Sequence, residues 1–141
     1  MDFGLDRETE ALRERVRAFL EEAVIPREIE AARNLDRLEA IARELQAEAK
    51  ERGLFLPHMP KELGGLGLSW QQLAVVLEEA GRSLLGPRAL NAAAPDEGNM
   101  HLLHKVASPE QKRRYLEPLA AGEVRSGFAM TEPMGAGADP S

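Results

Sequence analysis

A mainly α-helical fold that turns extended near its end is what this sequence predicts. Three observations carry that expectation. Apolar residues recur at helical spacing in several stretches separated by glycine and proline. Two serine-led capping boxes, Ser69 with Gln72 and Ser108 with Gln111, mark helix starts. Helical periodicity then stops near Glu123, and Arg125 to Met130 reads as a strand, with a domain boundary at the break.

The bulk properties narrow the field. With 141 residues the chain is one ordinary domain, or one domain and the start of another. A composition of 43% hydrophobic and 30% charged residues is globular, too apolar for disorder. A net charge of −6 argues against a nucleic-acid surface. Cysteine is absent, which excludes a disulfide framework, thiol chemistry and thiolate metal sites. Met1 to Arg17 is studded with charges, unlike a signal peptide, and no segment approaches the roughly 18 apolar residues of a membrane span. The expectation is a soluble, cytoplasmic protein.

The first helix is expected from Arg7 to Ile25, capped by Asp6, with Leu12, Val16, Phe19, Leu20 and Ala23 on one face. Pro26 is expected to close it, and a short polar helix, Arg27 to Arg33, to follow. Leu38, Ile41, Ala42, Leu45 and Ala49 form the next apolar stripe, ended by a left-handed Gly53. The Glu and Arg residues of both helices belong to solvated faces.

Leu54 to Leu68 holds two prolines and Gly64, Gly65 and Gly67, too apolar for a floppy linker, and reads as an ordered connection packed on the bundle. No Gly-Lys-Ser/Thr follows these glycines, so a phosphate loop is disfavoured. His58 has no partner at ligand spacing and is expected to be a packed or exposed loop residue. The helix opened by Ser69 carries Leu73, Val76, Leu77 and Ala80 on one face and Val75 on another, so it should be central and buried. Trp70, the single tryptophan, is assigned to packing, and Gly86-Pro87 to an interruption.

Ala89, Ala92, Ala93, Ala94 and Gly98 are small, which serves either close packing or room for a ligand. Asp96 is placed to cap a helix from Glu97 to Val106. His101 and His104 can share a face, but two histidines alone rarely hold a metal, and both are read as structural. Pro109 sits at the first position of the last helix, which should turn Tyr115, Leu116 and Leu119 inward and stop near Gly122.

The chemistry-bearing stretch is Gly127 to Ser141, GFAMTEPMGAGADPS. A strand-like run ending in glycines offers backbone N–H groups with little bulk before them, a concavity suited to anions, though a surface turn has the same spacing. Its wording is more specific. FAMTEP, Phe128 to Pro133, followed by a Gly/Ala turn and Asp139, resembles the flavin-binding segment of the acyl-CoA dehydrogenases. The likeness continues upstream to Asn91 and, with the helices before it, covers nearly the whole chain. APDEGNM, Ala94 to Met100, and the Met134 between Pro133 and Gly135 are similar to the larger, long-chain-type subgroup.

That resemblance implies an N-terminal all-α domain, residues 1–123, then the opening strand of a middle β-barrel domain, residues 124–141, stopping within the flavin-binding loop. It implies FAD as cofactor, with Phe128, Ala129, Met130 and Thr131 along the flavin ring and Gly137 and Ala138 beside the pyrophosphate. The family usually carries serine where Ala138 stands, contacting phosphate or substrate; its absence removes a hydrogen bond of about 1 kcal/mol. Pro95, Asp96, Gly98, Asn99 and Ala138 become candidates for substrate binding, the first four at the rim of the acyl pocket. The reaction implied is α,β-dehydrogenation of acyl-CoA thioesters, with an electron-transferring flavoprotein as partner and a homo-oligomer when full length. The catalytic glutamate of the family lies in a C-terminal bundle, so no catalytic residue is assigned here, and Glu132 is expected to be structural. A free-standing helical interaction module derived from the same fold, or an oxidase or monooxygenase on it, are the competing readings.

Overall fold

The computed structural model of the protein describes residues 4–129, 131–132 and 135–136. Helix α1, Arg7–Phe19, starts where Asp6 accepts the Thr9 N–H at 2.7 Å. It does not end at Pro26. A π-helical turn, Leu20–Val24, carries the chain directly into α2, Ile25–Arg33, with Ile25 donating to the Leu20 carbonyl five residues back. Proline lacks an N–H and its ring crowds the carbonyl four residues earlier. Widening the preceding turn relieves that crowding, so the helix bends its hydrogen bonding rather than stopping. The expected closure at Pro26 is therefore corrected. The same device recurs: α7, Pro109–Gln111, continues through a π turn, Lys112–Leu116, into α8, Glu117–Ala121, with Glu117 donating to Lys112 just before Pro118.

Helix α3, Leu35–Glu51, buries Ile41, Ala42, Leu45 and Ala49, and ends at Gly53 with a φ of +65°. The connection after it packs as expected. Leu54, Phe55, Leu56 and Met59 are buried, and the Leu56 N–H bonds the Leu90 carbonyl at 2.9 Å. Helix α4, Trp70–Ala80, begins with the complete Ser69–Gln72 capping box and packs along α1. Gly86 and Pro87 open a short helix, α5, Gly86–Ala89, rather than only breaking one. Its backbone is pressed against the end of α4: a Cβ on Gly86 would lie 2.2 Å from the Ala80 carbonyl oxygen. The core runs between these elements through Val16, Phe19, Ile41, Leu45, Val76 and Leu90.

Helix α6, Asp96–Val106, and the α7–α8 unit, begun by the second capping box, close the bundle. Leu116 and Leu119 are buried there, but Tyr115 is 47% exposed and does not point inward. It belongs to the widened turn, where side chains no longer keep the ordinary helical spacing. Gly122 ends α8 with a φ of +78°, and a Cβ there would come 2.9 Å from Gln46 Oε1, so glycine serves both the turn and the close approach. Beyond it Arg125 to Ala129 adopt no regular structure, against the expected strand. A strand exists only as a paired element, and the hydrogen bonds of this segment go to side chains of α6 instead. Among the described residues, pairing begins at β1, Thr131–Glu132, antiparallel to β2, Gly135–Ala136, with Thr131 opposite Ala136.

Candidate functional site

The segment leaving α8 is held against the start of α6 by two side chains. Asp96 is 3% exposed, although it sits at a helix start where carboxylates usually cap. It caps nothing. Its carboxylate accepts the Ser126 N–H and the Ser126 hydroxyl, both at 2.7 Å on Oδ1, and Arg125 Nε at 2.8 Å on Oδ2. The expected cap is thus corrected: these donors reach the carboxylate across the bundle and outcompete the helix's own N–H groups. Burial by itself raises the Asp96 pKa, but the Ser126 and Arg125 hydrogen bonds outweigh it and leave the group below the usual carboxylate range. Asn99, one turn on, donates to Ser126 Oγ at 2.8 Å and lies 3.4 Å from the Gly127 carbonyl oxygen.

Asn91 anchors the other end of this junction. It is buried, its φ is +55°, and its amide donates to the Leu119 and Ala120 carbonyls at 3.0 and 3.2 Å. These belong to the last turn of α8, where the Leu119 carbonyl also accepts the Gly122 N–H at 3.1 Å.

Two cavities flank the junction. A polar one of about 220 Å³ is lined by Arg43, Gln46, Arg88, Asn91, Asp96 and Arg125 among others. A larger one of about 520 Å³, mostly apolar, lies between α6 and α8 and is lined by Leu102, Leu103, Tyr115 and Leu119, with Asn99, Ser126 and Gly127 at one side. Of the four expected rim residues, Asn99 lines the larger cavity, Asp96 the smaller, and Pro95 and Gly98 neither. Past Gly127, Phe128 and Ala129 are exposed. Phe128 is 70% exposed, and no hydrogen bond among the described residues engages the backbone of Phe128 or Ala129. Thr131 is placed by its backbone pairing alone; Met130, Gly137 and Ala138 lie outside the described residues.

Elsewhere the expectations divide. Trp70 does not pack into the core: it is 76% exposed, its ring centroid 5.9 Å from that of His101. It falls in the first turn of α4, outside the stripe of Leu73, Val76 and Ala80. His58 is buried, with neither ring nitrogen hydrogen-bonded, and meets the edge of His101 at 5.4 Å. Burial, with a smaller contribution from His101, lowers its pKa to about 4 and keeps it neutral. His101 Nε2 lies 3.1 Å from Glu97 Oε1 without hydrogen-bond geometry. Among the described residues no three histidine or carboxylate side chains converge as a metal site would need, and no helix is long and apolar enough to cross a membrane.

Arg125, Ser126 and Asn91 escaped sequence reasoning. Their partners are 28 to 30 residues away in the chain, and no spacing rule pairs residues at that distance. The signal available was two polar residues, Arg125 and Ser126, just ahead of an apolar run.

This helical arrangement is that of an acyl-CoA dehydrogenase N-terminal domain. The family model "Acyl-CoA dehydrogenase, N-terminal domain" matches residues 6–123, and the chain belongs to the acyl-CoA dehydrogenase family. It is 37% identical to "Probable acyl-CoA dehydrogenase FadE2" of Mycobacterium tuberculosis, over 99% of this chain and 35% of that protein. It is 38% identical to "Acyl-CoA dehydrogenase family member 10" of Mus musculus, over 98% of this chain and 14% of that one. A solved structure, "Structure of a putative acyl-CoA dehydrogenase from Mycobacterium abscessus", superposes with a TM-score of 0.85 at 38% identity, covering 97% of this chain and 37% of the other. The chain therefore spans little more than a third, or less, of these relatives.

Proposed function

We propose that the chain forms the N-terminal part of a flavin-dependent acyl-CoA dehydrogenase, acting on acyl-CoA thioesters with FAD as cofactor and an electron-transferring flavoprotein as electron acceptor. One observation carries this reading: an exposed segment, Phe128–Ala129, whose backbone no hydrogen bond among the described residues engages, emerges beside a largely apolar cavity in a member of that family. A flavin ring has apolar faces and a polar edge, and both needs are met by such a place: hydrogen-bonding backbone at one side, apolar side chains at the other.

In this reading residues 1–123 form the helical domain and residues 124–141 open the β domain. Phe128, Ala129, Met130 and Thr131 hold the flavin ring through backbone groups and the Thr131 hydroxyl, and Gly137 and Ala138 turn beside the pyrophosphate. When bound, the flavin supplies the hydride acceptor; the protein contributes position and electrostatics. Asn99, facing the cavity with Leu102, Leu103 and Leu119, is the substrate-side residue this geometry supports best. Ala138 stays a proposed contact to substrate and cofactor, and Pro95 and Gly98 shape the start of α6 rather than the cavity. No residue of the chain is assigned as the base that removes the α-proton, and the full-length protein is proposed to be a homo-oligomer.

The test is the visible spectrum of the protein expressed from its whole reading frame. Bound flavin that bleaches anaerobically on addition of an acyl-CoA is the expected result. A colourless protein indifferent to FAD and acyl-CoA would replace this reading with a helical interaction module.

A further inference from the structure

Resting on that flavin reading, we propose that Asp96 is a positioning residue for the cofactor segment. Through Arg125 and Ser126, and with Asn99 on Ser126 and Gly127, it sets where the backbone of Phe128 and Ala129, which no hydrogen bond among the described residues engages, is presented.

The argument is one of constraint. Arg125 to Ala129 lack the ladder of hydrogen bonds that would hold a strand, so nothing regular fixes their course. Their position rests on side chains. Asp96 is well placed to supply it, because it is buried in α6 and three donors from two consecutive residues converge on its two oxygens. One of these donors is a backbone N–H, so the carboxylate fixes the main chain itself and not only side chains. Hydrogen bonds to an ionised acceptor are the stronger kind. Asn99 completes the arrangement from the next turn and closes a cycle Asp96–Ser126–Asn99. The residue after this cycle is Gly127 and the next is Phe128, so an error of one ångström at Ser126 is carried straight into the segment that meets the ligand. Such misplacement away from the reacting atoms is costly. Asp96 touches neither ring nor substrate in this scheme; it acts through the segment.

The experiment uses the full-length protein and reads FAD affinity and the bound flavin's absorption and visible circular dichroism. Asp96→Asn keeps the shape but removes the charge; we expect about tenfold weaker FAD binding and an altered flavin spectrum. Ser126→Ala, a milder change that serves if Asp96→Asn does not fold, should weaken binding about threefold. Glu79→Gln is the control, a buried carboxylate far from the segment in sequence: it should lower the melting temperature and leave flavin affinity and spectrum unchanged. Asp96→Asn with wild-type affinity and spectrum would overturn the proposal while the flavin reading stands. So would Glu79→Gln weakening FAD as much as Asp96→Asn. A wild-type protein that binds no FAD overturns the reading, and this inference with it.

Discussion

Glu79 and Asp96 are both buried carboxylates satisfied by arginine, yet they hold different things together. Glu79, on α4, bonds Arg17 of α1 at 2.5 Å, joining two helices already packed along each other, and Arg82 in the turn just after α4 at 2.9 Å. Asp96 bonds a backbone N–H and a hydroxyl as well as an arginine, in a segment with no regular structure. A buried anion always requires donors. What those donors are attached to says what the anion does: where they sit on a packed helix and the turn beside it the anion adds stability, and where they sit on an irregular segment it determines a position. His58 is the third case, buried with neither ring nitrogen hydrogen-bonded, and it escapes the cost by staying neutral.

The largest expected effect is Glu79→Ala. Removing one member of a buried ion cluster costs several kcal/mol, but Arg17 and Arg82 remain partly solvated, so a loss of about 3 kcal/mol in urea or thermal unfolding is expected. A loss below 0.5 kcal/mol would show that the cluster is ornamental. Next comes acid. The His58 pKa falls from 6.5 to about 4 on folding, so between those values the unfolded chain binds the extra proton and stability drops as pH falls. At about 1.4 kcal/mol per unit, the drop approaches 3 kcal/mol near pH 4. His58→Leu should flatten stability across this window without loss at pH 7, because the nitrogens it removes are unpaired. An unchanged pH profile would refute it.

The two carboxylates titrate lower. Both have depressed pKa values: for Glu79 the Arg17 hydrogen bond leads, and for Asp96 the Ser126 and Arg125 bonds overcome burial. Their stabilisation is present above the unfolded values of 4.5 and 3.8 and is lost as pH falls through the lower folded ones. Stability measured below pH 4 should therefore be less acid-sensitive in Asp96→Asn than in wild type, while the His58 window stays intact. Loss of the His58 window in that variant would mean the two sites are coupled. The smallest effect belongs to Trp70→Ala. The ring is largely solvated, so a change within about 0.5 kcal/mol is expected by the same unfolding measurement.

Much of the helical frame was legible in the chain. Asp6, Ser69 and Ser108 cap as their spacing says, and Leu45, Val76 and Leu119 are buried where periodicity puts them. Pro26 does not close its helix because a proline's cost depends on the turn before it, and here, as before Pro118, that turn widens and lets the helix run on. Trp70 and Tyr115 were misread because apolar character alone does not say which way a side chain at a helix start or a widened turn will face.

The site divides the same way. The proposed flavin segment rests on the resemblance of FAMTEP and the glycines around it to the family, which a short stretch of sequence can carry by itself. The residues that hold that segment were not legible. Asp96 carries a local instruction, to cap α6, and the fold overrules it with donors delivered from 29 and 30 residues away. Short-range chemistry, in caps, turns and periodic stripes, acts within a few residues and is written in the sequence. Which buried carboxylate meets which donor depends on how α6 and α8 pack, and only the tertiary structure decides that.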